Sequence, residues 1–183
     1  MMSKVAGIAV GTVLLVGSVV AAGAQSQDLE GATPIGIALF DPVQFPGHDG
    51  VVRGLRIDLL YGAHRHTRGL TVGLVNHTTG TTKGFDYGLV NWTEGAFSGW
   101  QDGLVNLTGG EFKGFKSGIY NGAENAEGFL WGIINVAESM SGFQLGLFNM
   151  AQSMNGLQIG VINVIQAKET LPILPIVNWS FAK

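Results

Sequence analysis

One block of residues recurs along most of this chain and constrains its fold more than any other feature. The block reads Gly, apolar, two variable residues, Gly, two apolar residues, Asn, and its first clear copy spans residues 69–76. Its Asn returns at intervals of 15 and then 14 residues, and the seven copies from 69 to 163 all keep both glycines. Self-similarity at so short a period is typical of a stacked repeat architecture.

Each repeat is predicted to form one coil of a β-solenoid. Fifteen residues with two obligatory glycines are too few, and too rich in helix breakers, for a pair of helices. The residues around Asn76 alternate in polarity as a strand does, and pairs such as Thr79-Gly80 indicate a turn. The chain has 29 glycines without a collagen period, and the two glycines of the seven clear copies account for 14 of them.

Stacked coils would place the repeated Asn side chains above one another, so that each amide bonds the next. We therefore predict an internal Asn ladder formed by Asn76, Asn91, Asn106, Asn121, Asn135, Asn149, Asn163 and Asn178. The apolar residues two positions before each Asn, from Leu74 to Val161, are predicted to line the interior beside this ladder. A second interior column is predicted from Leu70 to Leu157.

Two degenerate copies flank the clear repeats. The first, 54–61, has Asp58 in place of the second glycine and Tyr61 in place of Asn, and the last, 171–178, has Pro175 in place of a glycine. We thus divide the chain into a leader (1–24), an N-terminal capping segment (25–53), a repeat domain (54–178) and a C-terminal tail (179–183). Atypical outer repeats are expected where an array meets solvent.

A small antiparallel outer-membrane-type β-barrel is the alternative fold. Residues 82–92 have the length of one tilted membrane strand, and Phe181 lies near the C-terminus. Successive barrel strands run antiparallel, however, so that a fixed Asn would gain no stacked partner. The sequence therefore favours the solenoid.

Residues 1–24 are typical of an export signal. Lys4 is their only charge, an apolar run follows, and Ala22-Gly23-Ala24 resembles a signal-peptidase site. The alternative is an uncleaved membrane anchor, because the apolar run is about long enough to span a bilayer. The expected location is the periplasm, the outer membrane or the cell surface.

The repeat, the segment 38–46 and the closing segment 174–181 together resemble a family of uncharacterised exported bacterial surface-repeat proteins. The resemblance rests on the Gly-Leu-x-x-Gly-Leu-x-Asn repeat and covers most of residues 34–181. It implies a cell-envelope location. It implies no catalytic residue, because the family carries no established activity.

Composition and motifs exclude several classes of function. Without cysteine the chain has no disulfide, thiolate nucleophile or iron–sulfur cluster, and a pI near 5.7 argues against a nucleic-acid partner. No paired acids, nucleophile elbow or phosphate loop is present, so we predict a non-enzymatic protein with no cofactor. His64 and His66 are weak candidates for a metal site, and we predict none.

The strongest functional clue is a second apolar face, pointing away from the Asn ladder. We predict that it is an interaction face, which consists of Val75, Val90, Val105, Tyr120, Ile134, Phe148 and Ile162. A stripe of this length exceeds what soluble monomers normally expose. The expected function is that of a structural or interaction protein of the cell envelope, with self-association, an envelope protein partner or a membrane surface covering the face. The alternative is a barrel that serves as an anchor or pore.

Overall fold

A computed structural model describes residues 31–181, and over these residues the chain is an all-β solenoid. The leader prediction lies outside the described residues. In this described part of the chain, nine strands form one sheet in the order β2-β1-β3-β4-β5-β6-β7-β8-β9, with β5 also pairing with β7. Their bounds are β1 Thr33–Phe40, β2 Val43–Phe45, β3 Val51–His64, β4 His66–Thr78, β5 Thr82–Thr93, β6 Phe97–Asp102, β7 Val105–Leu145, β8 Phe148–Ile165 and β9 Ile173–Ser180.

The coils stack in parallel, with identical repeat positions in register. Gly69 pairs with Gly84 and Asn76 with Asn91 between β4 and β5, and Asn135 pairs with Asn149 between β7 and β8. This pairing confirms the solenoid. The barrel alternative is wrong, and with it the pore, because neighbouring strands of such a barrel run antiparallel.

The change from 15-residue to 14-residue coils falls in the turn. Three residues, 79–81, connect the inward-facing Thr78 to the inward-facing Thr82, whereas only two connect Ala123 to Ala126. The strands therefore keep their register throughout, and the repeat tolerates the change in period.

Four columns of side chains fill the interior, and we name each after its member in the coil 67–81. The Thr67, Thr71, Asn76 and Thr78 columns are buried in nearly every coil. Apolar members concentrate in the later coils, where Phe97 stacks on Phe112 with ring centroids 5.8 Å apart. The earlier coils instead bury hydroxyl and charged groups.

The two apolar columns predicted for the interior lie outside, which corrects that prediction. Members of the Leu74 column are 43% to 62% exposed, and the Leu70 column is half-buried or exposed. The reason is a corner between Leu74 and Val75, where two consecutive side chains both point outward. A strict alternation of inward and outward side chains, applied from Asn76 back through this corner, therefore places Leu74 inside when it lies outside.

The two glycines of the repeat have different tasks. Gly84 has a φ of +140°, and a Cβ on it would overlap the carbonyl oxygen of Gly69 in the previous coil. The second glycine of each block, such as Gly88, shows no such φ, but a Cβ there would lie 2.7 Å from the Asn76 amide nitrogen. Only glycine lets the coils approach and leaves room for the ladder.

The two degenerate copies behave differently from the prediction. In the first, a register shift between Asp58 and Tyr61 pairs Tyr61 with Val75, so that Gly62 takes the Asn position. In the last, β9 runs antiparallel to β8, so residues 171–178 form a hairpin and not another coil. At the other end, the short strand β2 pairs antiparallel with β1, which itself stacks parallel on β3.

Candidate interaction surface

The Asn column forms a continuous ladder of side-chain hydrogen bonds inside the solenoid, which confirms the predicted internal Asn ladder. From Asn76 to Asn163, each Nδ2 donates to the Oδ1 of the next Asn at 2.8 to 2.9 Å. Each interior member also donates to a main-chain carbonyl of the next coil, as Asn91 does to Asp102 at 2.9 Å. Both donors and the acceptor are thus used, which explains why Asn occupies this buried position.

Asn178 does not extend the ladder, because β9 runs in the opposite direction. It is buried opposite Gln158 in the register, and its amide donates to the main-chain carbonyls of Asn163 and Pro172. The Lys168 ammonium donates to its Oδ1 at 2.9 Å. The Asn178 side chain therefore closes the end of the array by bonding main-chain carbonyls and Lys168 instead of another Asn.

Buried charge in the Thr71 column is the feature that sequence reasoning missed. The fully buried Arg56 donates to the carbonyls of Gly62 and His77 at 2.6 and 2.8 Å, and to the hydroxyls of Thr67 and Thr78. One of its nitrogens also lies 2.6 Å from an Asp58 carboxylate oxygen. The guanidinium thus closes the N-terminal end of the interior.

The signal for this column was present in the repeat. Its members occupy the first of the two variable positions between the glycines of each block, and seven of the eight are polar. These are Arg56, Thr71, Asp86, Gln101, Lys116, Gln144 and Gln158, and the exception is Leu130. Burial raises the pKa of Asp86 to about 6, because desolvation outweighs the stabilisation that the neighbouring Thr71 and Arg56 give the charged carboxylate.

Lys116 gives a pH-dependent prediction. Its ammonium donates to the Thr108 hydroxyl at 2.9 Å and the Gly122 carbonyl at 2.6 Å, and complete burial holds its pKa well below 10.5. The folded state therefore binds fewer protons than the unfolded state, so stability should rise as pH increases from neutral toward 10.5. Lys116→Met should remove this rise.

Chemical denaturation at pH 7, 8.5 and 10 measures the effect of Lys116→Met. The control is Lys113→Met, because Lys113 is exposed and its ion pair with Glu127, at 2.8 Å, lies on the surface. The same pH slope in the Lys116 variant as in the Lys113 variant would contradict a desolvated ammonium.

The histidine pair does not converge on a common point. His64 is fully buried in the Thr78 column, and burial lowers its pKa to about 3. His66 lies at the turn, where its Nδ1 is 3.0 Å from the Thr81 hydroxyl. No group of three or more His, Asp or Glu suited to a metal gathers within residues 31–181.

His77 forms a separate polar cluster. Its Nδ1 lies 2.7 Å from the Tyr61 hydroxyl and its Nε2 lies 2.9 Å from a Glu94 carboxylate oxygen. Its ring stacks on Trp92 at 4.2 Å between centroids. Burial lowers the pKa of His77 even though Glu94 favours its charged form. The arrangement suits a neutral imidazole that accepts from the phenol and donates to the carboxylate.

The outer surface is apolar over five adjacent columns, named after Leu70, Val72, Leu74, Val75 and His77. The predicted interaction face, the Val75 column, points outward and is half-buried except for Ile162, which is exposed. It is the fourth of these columns, so the apolar surface is much wider than the sequence indicated. We call all five columns together the apolar surface.

An aromatic ladder runs along one side of the apolar surface. Phe85, Trp100, Phe115, Phe129 and Phe143 contact one another in succession with ring centroids 5.1 to 6.4 Å apart. Neighbouring rings are tilted or edge-on, which is the favoured geometry for aromatic pairs. The side chains predicted to fill the core therefore stabilise the stack from outside.

The opposite side of the cross-section is polar. An exposed column contains Arg68, Lys83, Ser98, Lys113, Glu127, Ser141 and Asn155. The adjacent turns carry polar residues such as Glu138 and Gln152. We call this side the polar edge. Each coil is thus amphipathic, with its apolar corner at Leu74 and Val75.

Fold and surface together define a class: a parallel β-solenoid with a largely polar interior and an apolar outer surface. No protein-family model, curated protein or solved structure matches the chain. Among the described residues there is no helix with the length and hydropathy needed to cross a membrane.

Proposed function

We propose that this chain is a non-enzymatic, exported structural protein of the bacterial envelope that inserts its apolar surface into a lipid surface. The observation that carries the proposal is the extent of the apolar surface. It covers the strand before the Leu74–Val75 corner of each coil and the strand after that corner, and we call the two stacks of strands the walls of the solenoid. Export is proposed from the leader-like segment and from the family resemblance of the repeats.

The shape of the apolar surface favours lipid over a single protein partner. A second copy or a flat partner would cover one wall and leave the other wall in water. A fluid lipid phase contacts both walls and the corner together. Members of the Leu74 column, at the tip of the corner, reach 58% exposure at Leu147 and 62% at Val161. Covering this apolar area provides the driving force.

The backbone of the walls also suits contact with lipid. Main-chain groups in a lipid phase must be paired within the protein, because no water is available to them. In the walls the coils pair with the coils on either side in continuous parallel register. The polar edge would remain in water, so the axis of the solenoid would lie along the membrane plane.

Vesicle binding tests the proposal. Leu104→Asp combined with Leu147→Asp places two carboxylates at the corner, and both positions are about half exposed, so the fold should persist. We expect vesicle affinity to fall at least about tenfold, because each change removes apolar contact and adds a charge. Cosedimentation with phosphatidylcholine vesicles and the tryptophan emission maximum measure it.

The matched control is Ser98→Asp combined with Ser141→Asp, in the same two coils but on the polar edge. This variant should bind vesicles as the parent chain does. Equal binding by the corner variant would overturn the proposal. So would a water-soluble dimer whose association, rather than vesicle binding, depends on Leu104 and Leu147, since a second copy would then cover the surface.

A further inference from the structure

The geometry points to a second binding surface, whose partner is another copy of this chain: we propose that two solenoids pack antiparallel through their polar edges, related by a two-fold axis. The inference does not depend on the proposed function, because the polar edge lies on the opposite side of the cross-section from the apolar surface. It rests on the way in which charge is distributed along the polar edge.

The first half of the polar edge, over residues 51–96, is basic. Arg53 pairs with Arg68 in the register and Arg68 pairs with Lys83, so three exposed cations lie on neighbouring strands about 4.8 Å apart. Arg65 adds a fourth cation at the turn, and the one exposed carboxylate of this half is that of Glu94. Among the described residues, no ion pair joins any of the four cations to a carboxylate. Like charges on neighbouring strands repel, so this half lacks its counter-charge.

The second half of the polar edge, over residues 97–139, is acidic. Its carboxylates are those of Glu111, Glu124, Glu127 and Glu138, and its one exposed cation, Lys113, is already paired with Glu127. Glu124 and Glu138 occupy the same turn position one coil apart, and burial together with the charge of Glu138 raises the pKa of Glu124. No charged residue follows from 140 to 167, so the charged strip ends with this half.

A two-fold axis at the boundary between the two halves brings opposite charges together. Such an axis lies across the strip, so it sets each column of side chains opposite itself and reverses only the order of the coils. The coil that carries Arg53 and Arg65 then faces the coil that carries Glu127 and Glu138 in the second copy. Arg65 and Glu138 occupy the same turn position in their coils, which places them directly opposite each other twice in the dimer.

Only a second copy complements both halves at once. A polyanion would fit the basic half and be repelled by the acidic half, and a polycation the reverse. The six charged coils, at about 4.8 Å each, form a strip roughly 25 to 30 Å long. A strip of this size is at the low end of protein interfaces, so we expect a reversible dimer. The apolar surfaces of the two copies would face away from each other and remain uncovered by the dimer.

Analytical ultracentrifugation of the full-length chain tests the inference, in a nonionic detergent that covers the apolar surface. The parent chain should be dimeric in about 20 mM NaCl and dissociate in about 500 mM NaCl, because salt screens exposed charge pairs. Arg65→Glu alone and Glu138→Arg alone should each weaken the dimer at least about tenfold, because each homodimer then contains two pairs of like charges.

Mixing the two variants in equal amounts makes the result specific. In the mixed dimer both opposed pairs again join an acid to a base, so the dimer should return, which two misfolded variants could not achieve. The control is Glu169→Arg, which makes the same charge change as Glu138→Arg at an exposed position outside the strip and should leave the dimer unchanged. A parent chain that is monomeric at low salt would overturn the inference. So would a dimer that neither single variant weakens, or a mixture that stays monomeric.

Discussion

Gly114→Ala is expected to prevent the solenoid from forming. Gly114 has a φ of +137°, and a Cβ on it would overlap the carbonyl oxygen of Gly99 in the previous coil. The backbone strain of that φ adds to the steric overlap, so we expect a loss of more than about 3 kcal/mol. Because each coil is held by its neighbours, a break in the centre of the array affects both halves.

Far-ultraviolet circular dichroism, protease resistance and the denaturation midpoint measure the effect of Gly114→Ala. The control is Ser98→Ala, which adds no atoms and lies on the polar edge. Ser98→Ala should unfold at the same denaturant concentration as the parent chain. A Gly114 variant with an unchanged midpoint would mean that the coils do not approach as closely as described.

Asn106→Ala is expected to have the second largest effect. Asn106 accepts from Asn91 at 2.8 Å and donates to Asn121 at 2.9 Å and to the Ser117 carbonyl at 2.7 Å. Its removal leaves the buried Asn121 Oδ1 without its hydrogen-bond donor, at a cost of about 1–3 kcal/mol, and takes one hydrogen bond each from the Asn91 amide and the Ser117 carbonyl, which keep a second partner. We expect a total loss of about 3 kcal/mol or more in the free energy of unfolding, measured by chemical denaturation.

A double-mutant cycle separates the ladder from simple burial. Asn106→Ala combined with Asn121→Ala should cost less than the sum of the two single changes, because their shared hydrogen bond is counted twice in that sum. Asn125→Ala provides the control, since Asn125 is exposed at a turn, and it should be nearly neutral. Strict additivity of the two buried changes would contradict the ladder.

The period and the ladder could be predicted because both depend on register alone. Identical residues at a spacing of 15 or 14 can stack only if the strands are parallel, and a buried Asn column then satisfies its own amides, as Asn76 to Asn163 do. The site was predicted less completely. The outward Val75 column was recognised, and its role in interaction stays a prediction, but the neighbouring Leu74 and Leu70 columns were placed in the core.

That error has a general cause. Hydrophobicity is a good guide to the interior only when the exterior is in water, and here it assigned Leu74 and Phe115 to the wrong side. The polar members of the Thr71 column, such as Lys116, were not recognised as interior residues, because the repeat pattern left their position variable. Some of their polar groups find partners inside the coil stack, as the Lys116 ammonium does with Thr108 and Gly122. Others, such as the Thr71 hydroxyl and the Gln101 amide nitrogen, are buried without a hydrogen-bond partner among the described residues.

The coil length, the parallel register, the Asn ladder and the two glycine positions all follow from which residues repeat and how often. Which face of each strand points inward, and how the array ends, depends on the folded arrangement of the coils. The corner at Leu74 and Val75 interrupts the alternation of inward and outward side chains, so that the sequence pattern does not predict which residues are buried. At the C-terminal end, the backbone bonds of an edge strand can be satisfied in either direction, and β9 pairs antiparallel with β8.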